Sequence, residues 1–260
     1  MAVSTPYRAK DFRIYMCTHA QLYYLTIRQE LLNTVAERTP FQPESITVGD
    51  EPLLPYSLDE ALCTSPNRPA NVALRLQRTL HPAYRMFIGL ARQPWCELRF
   101  TDLSQCEEGD FQAFLEVADQ WAQLLRPIMG FVHLSVADQD DGSEHYWDYR
   151  VVSTGAGYEA MSGVGGLALR TYIGSGAITV IGRDRLASLS PGSVVTDCEW
   201  GGCRVDLHPD LWRASEVDLL ARWQHSQTAL EPSGFFARLV RSERDLWHWR
   251  PGASRELYRF

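Results

Sequence analysis

The chain has 260 residues, 45% of them apolar and 22% charged, enough to bury a substantial core and too apolar for general disorder. Its formal net charge of −7 argues against a nucleic-acid binder, which needs a basic face, and suits a partner with a basic contact surface. No run approaches the roughly 18 apolar residues of a membrane span, and the first thirty residues lack an apolar export segment, so no membrane partner and a cytoplasmic address are expected. Six cysteines at 17, 63, 96, 106, 198 and 203 have no dense spacing, which fits reduced thiols rather than a disulfide scaffold.

Residues 12–17 alternate and read as a strand. Residues 20–37 read as a helix with Tyr24, Ile27, Leu31 and Val35 on one stripe. Repeated prolines make 38–56 a loop with a short strand at 46–48. Ser57 to Glu60 forms a capping box for a short helix. Val72, Leu76 and Leu80, spaced by four, predict a helix over 69–80. A hairpin follows, 84–91 and 95–101, with Met86, Ile88 and Leu90 on one face of the first strand and Cys96, Leu98 and Phe100 on one face of the second. The clearest helix is 110–126, where Phe111, Phe114, Leu115, Ala118, Trp121, Ala122 and Leu125 make a full apolar face. A strand over 131–136 leads into polar loop 137–148 and a Gly/Ser-rich loop, 153–166.

Strands are expected at 168–173, 176–181 and 202–207, with a short helix at 183–189. Ser215 caps a helix to about Leu230, with Val217, Leu220, Ala221 and Gln224 along one side. A short helix is expected at 235–240 beyond the Glu231-Pro232 break; the tail from Asp245 has no clear assignment. The sum is an α+β fold of mainly antiparallel sheets with packed helices. It is read as one unit over 1–260, with segments 84–126 and 168–230 sharing a strand-pair-then-helix plan that suggests two similar halves, 1–137 and 138–260.

The sequence offers little chemistry. Lys10 is the only lysine and sits in no P-loop, Schiff-base or Ser-Lys context. Gly155-Ala-Gly157 and Gly163-Val-Gly-Gly166 match no nucleotide fingerprint. Gly174-Ser175-Gly176 is not G-x-S-x-G, and in a strand-to-strand context it reads as a tight turn. Cys198, Cys203 and His208 fall within eleven residues, but zinc wants four ligands and the spacing is loose. No catalytic set, metal site or cofactor is expected.

Two acidic stretches are candidate contact surfaces, the alternative for each being a plain solvent-facing loop. One is Glu107, Glu108 and Asp110 at the start of the long helix. The other is Asp138, Asp140, Asp141 and Glu144 beside His145, Tyr146 and Trp147. Carboxylates would steer a basic partner and the aromatics would anchor it.

Residues 168–207 order as strand, glycine, strand, Gly-Arg, short leucine-containing helix, Gly-Gly and strand. In the Tyr172 to Gly174 step, the Ile/Val run ending Gly182-Arg183, and Leu186, the chain resembles immunity proteins of bacterial type VI secretion and polymorphic toxin systems. The strand Trp95 to Phe100 and the helix 110–126 fit the same layout, so the resemblance covers about 84–240. The aromatic usual after the glycine is replaced by Ser175-Gly176. The resemblance implies a cytoplasmic inhibitor that binds a cognate toxin and blocks its active site or substrate entrance. The competing classes are a zinc-assisted hydrolase using Cys198, Cys203 and His208, and an assembly factor of a secretion apparatus.

Overall fold

The computed structural model describes residues 9–20, 22, 24–36, 41–62, 73–89, 94–101, 103, 106–136, 163–241 and 247–258. Ten strands form one antiparallel sheet in the order β3-β2-β4-β5-β6-β1-β7-β8-β10-β9. They are β1 (Ala9–Cys17), β2 (Ser45–Val48), β3 (Leu54–Pro55), β4 (Ala73–Arg78), β5 (Tyr84–Gly89), β6 (Trp95–Phe100), β7 (Met129–Val136), β8 (Arg170–Ile173), β9 (Val194–Asp197) and β10 (Cys203–Asp206). A separate two-stranded ribbon pairs β11 (Arg238–Arg241) with β12 (Trp247–Arg250). The described α-helices are α1 (Leu25–Ala36), α2 (Leu58–Leu62), α3 (Glu108–Leu125), α4 (Ser175–Ile181), α5 (Arg183–Ala187) and α6 (Glu216–Leu230). This is the α+β architecture with antiparallel strands that the sequence predicts.

Alternation along β1 sets the two faces of the sheet. Phe12 meets Phe111 and Phe114 of α3 at ring-centroid distances of 5.4 and 5.2 Å, so Phe12, Ile14 and Met16 face the helices. Phe100 on β6 stacks on Phe114 at 3.8 Å, and Phe41 packs against both rings. Arg13 and Tyr15 point the other way. Tyr15 stacks between Trp95 and Phe131 on the flanking strands, and Arg13 grips Glu97 with two nitrogens at 2.9 and 3.0 Å. Both sides of β1 are buried, as a central strand requires.

The expected hairpin of β5 and β6 forms, with Tyr84 opposite Phe100 and Gly89 opposite Trp95. Helix α3 also stands where its periodicity placed it, ending at Arg126, whose φ of 45° lies in the left-handed region just before Pro127. Ser215 caps α6, its Oγ accepting from the Asp218 N–H at 3.1 Å. Ser215→Ala should lower stability by about 1 kcal/mol, read as a shift in urea midpoint at constant slope; an unchanged midpoint would show the cap to be idle.

Five expectations are corrected. Residues 73–78 form strand β4, not part of a helix over 69–80. Leu74 and Leu76 are buried while Arg75 between them is exposed, so the operative period is two; Leu80 lies outside the core. Residues 175–181 form helix α4, not a strand. Ala177, Ile178 and Ile181 are its buried side, and this burial overrides the strand preference of a β-branched run. Residues 238–241 pair as β11 instead of continuing a helix from 235. On α6 the core face is Leu219, Trp223, Ser226 and Leu230, whereas Val217 is 79% exposed. Helix α1 differs in the same way: Tyr24 is exposed, and the fully buried Arg28 takes a place on the inner face beside Leu31, Leu32 and Val35. Strand β9, whose four residues are all exposed, carries no alternation and was not predicted.

Candidate partner-binding surface

The predicted acidic turn opens α3. Glu107 is its N-cap, and the Asp110 carboxylate accepts from the Glu107 N–H at 3.0 Å while the Glu107 side chain accepts from the N–H of residue 110. Two of the three carboxylates therefore close the helix end, and they also favour its positive pole. Glu107 and Glu108 are exposed and Asp110 is half-buried. The second predicted cluster, Asp138, Asp140, Asp141, Glu144, His145, Tyr146 and Trp147, lies outside the described residues.

The acidic turn belongs to a larger surface. Helix α1 packs against both α2 and α3. Glu30 on α1, Asp59 and Glu60 on α2, and Glu108 and Glu116 on α3 are all exposed. The base within these three helices is Arg28, which is fully buried and donates to the Leu62 carbonyl at 2.7 Å. Exposed charge on the three helices is thus of one sign. On the opposite side of the sheet the signs reverse: Arg75, Arg85 and Arg99 are exposed, with Arg85 directly across from Arg99.

A polar network fastens α3 over the far end of the sheet. The register of β8 and β10 sets Arg170 opposite Asp206 and Tyr172 opposite Arg204. Arg170 Nε meets Asp206 at 2.5 Å and its Nη1 meets Asp119 of α3 at 3.1 Å. Arg204 bridges the same two carboxylates at 3.0 and 3.1 Å, and the Tyr172 hydroxyl donates to Asp119 at 2.6 Å. Burial alone would lower the Arg170 pKa, but Tyr172, Asp206 and Asp119 outweigh it and hold the guanidinium firmly charged; burial pushes the Tyr172 phenol well up. Tyr172, one of the residues that carries the family resemblance, therefore works as a strut between sheet and helix.

The glycine run beside it has a steric origin. A Cβ on Gly174 would sit 2.6 Å from the Pro127 carbonyl oxygen and 3.0 Å from that of Ile128, so only glycine lets β8 approach the start of β7. Gly174-Ser175-Gly176 joins strand β8 to helix α4, which corrects the strand-to-strand context expected for it. Ser175 opens onto a cleft of about 220 Å³ lined also by His19, Arg126, Ile128, Trp200 and Leu257. Burial lowers the His19 pKa, favouring the neutral ring. Among the described lining residues there is no carboxylate that could orient that ring as a base for Ser175. The cleft offers an indole, a guanidinium and an imidazole, groups suited to holding a side chain of another molecule.

Among the described residues, no three His, Cys, Asp or Glu side chains are grouped to hold a metal ion, so Cys198, Cys203 and His208 do not gather as ligands. Cys203 is buried in β10, where burial pushes its thiol up to about 12. The His208 ring is engaged with the backbone of Asp210, its Nδ1 lying 3.0 Å from that N–H, and its Nε2 is 3.5 Å from Asp218. No described helix is long and apolar enough to cross a membrane.

No family model matches the sequence, and no curated protein matches it. Solved structures do. A type VI secretion system protein of Pseudomonas aeruginosa superposes with a TM-score of 0.59 over 85% of this chain and 75% of its own, at 14% sequence identity. The likeness is one of fold: the antiparallel sheet protein described above shares its architecture with a component named for that secretion system.

Proposed function

We propose that this chain is an immunity protein that binds a cognate antibacterial toxin in the cytoplasm and neutralises it, acting by occlusion and not as an enzyme. The observation that carries the reading is the one-signed helical layer, on which Glu30, Asp59, Glu60, Glu108 and Glu116 are exposed without an exposed base among the described residues of α1, α2 and α3. Such a layer steers a basic surface into contact and raises the association rate. The shared fold with a type VI secretion protein supports the same reading, as does the immunity-protein resemblance in Tyr172, Gly174 and Leu186.

The test is survival on co-expression with the toxin encoded by a neighbouring reading frame. Wild-type chain should rescue. The double reversal Glu108→Arg/Glu116→Arg sits on exposed positions of α3 and should leave the fold intact. It should slow association at least tenfold at low salt, a difference that shrinks as ionic strength rises. Failure of the wild-type chain to rescue rejects the function; equal association by the reversed variant rejects the helical face.

A further inference from the structure

The sheet has two edges, and they are treated differently. Strand β3 is two residues long and includes Pro55, which has no N–H to offer, so that edge is blunted. Among the described strands, β9 ends the other side of the sheet with four residues that include neither proline nor lysine. Its acid, Asp197, is paired with Arg183 of α5 and so does not stand as a lone repelling charge. Val194 and Val195 are 36% and 39% exposed.

The hydrogen-bond pattern fixes which backbone groups face outward. At the turn, the Cys198 N–H donates to the Gly202 carbonyl at 2.9 Å. Bonded and non-bonded pairs alternate in an antiparallel ladder, so Thr196 and Val194 bond inward to Arg204 and Asp206. The other side of β10 agrees: the Leu207 N–H donates to the Leu169 carbonyl, which assigns Val205 and Cys203 to β8. Val195 and Asp197 are left with N–H and C=O directed away from the sheet, two residues apart, the spacing a further strand needs.

We infer that the outer edge of β9 takes up an extended strand of the toxin, paired through the backbone of Val195 and Asp197. This rests on the immunity reading above and names the second contact of the same partner. The edge is linked to α3 of the helical layer through one side chain. Thr196 lies opposite Arg204, whose guanidinium contacts Asp119 of α3. A partner strand on β9 thus lies one strand beyond a side chain that touches that helix. A second copy of this chain is the weaker occupant: two four-residue strands cover far less than the roughly 1,200 Å² that a stable specific interface needs. A toxin already held by the helical face supplies the remaining area.

Val195→Pro tests the inference directly. It deletes an outward N–H and spares the inward bonds of Val194 and Thr196. Binding of catalytically inactivated toxin from the neighbouring reading frame should weaken at least tenfold and rescue should fail, while Val195→Thr should match the wild type. As a measurement independent of the variant's folding, the amides of Val195 and Asp197 in the wild-type chain should become protected from hydrogen exchange in the complex. If the wild-type chain binds and rescues but those amides exchange unchanged, or Val195→Pro folds and binds as tightly, strand addition is wrong and immunity stands. If the wild-type chain neither binds nor rescues, the immunity reading falls and the strand site with it. Sedimentation of the chain alone should give a monomer; a dimer dissolved by Val195→Pro would assign the edge to a second copy and overturn the inference.

Discussion

Trp121→Ala should remove about 3–5 kcal/mol of unfolding free energy. Trp121 is fully buried on α3, and its Nε1 donates to the Thr34 hydroxyl of α1 at 2.6 Å, so one side chain fills the core and ties two helices together. Truncation leaves a cavity that a close-packed core fills only in part. Total stability of a domain is typically about 5–15 kcal/mol, so the variant should lose a large fraction of it and show a much lower urea midpoint with the slope preserved. Trp121→Phe should fall between the two. A loss below about 1 kcal/mol for the alanine variant would mean that α1 and α3 do not pack as described.

Asp206→Ala should be comparably severe, about 3–5 kcal/mol, for an electrostatic reason. Asp206 is buried and meets Arg170 and Arg204 at 2.5 and 3.0 Å. Its removal leaves the buried Arg170 guanidinium with Asp119 alone, at the half-exposed rim of the network. The penalty is that of stranding a charge, not the intrinsic worth of the pair. Arg170→Met/Asp206→Leu should therefore destabilise less than Asp206→Ala by itself, an inversion visible in matched urea titrations. If the double variant is the less stable, the network stabilises the fold beyond mutual neutralisation.

Parts of this architecture are legible in the sequence because one period dominates locally. The alternation of Met86, Ile88, Cys96 and Leu98, and the seven-residue apolar face of α3, each admit one reading. Val72, Leu76 and Leu80 admit two, since a spacing of four suits both a helix and one side of a strand. The run from Ile178 to Ile181 has strand propensity but is helical because burial of Ala177, Ile178 and Ile181 decides it. On α6 the polar Ser226 is inside and the apolar Val217 outside, which inverts any reading by hydrophobicity. The acidic start of α3 is plain from sequence, but the one-signed helical layer emerges only when burial removes Arg28 from the surface. The network of Asp119, Arg170, Tyr172, Arg204 and Asp206 joins residues from three elements far apart in the chain, and only strand register brings them together.

The position of β1 has a consequence for biosynthesis. It comes first in chain order among the described strands, yet its partners are β6 and β7: Phe12 waits for Phe100 on one side and Leu134 on the other. At ribosomal speeds that delay is on the order of several seconds. Throughout it the nascent chain presents an unpaired strand containing Phe12, Ile14 and Met16. Such long-range pairing also makes for slow folding after release. Expression in a host with limited chaperone capacity should therefore be lost first as newly made, aggregated chain, and slower translation should worsen that loss.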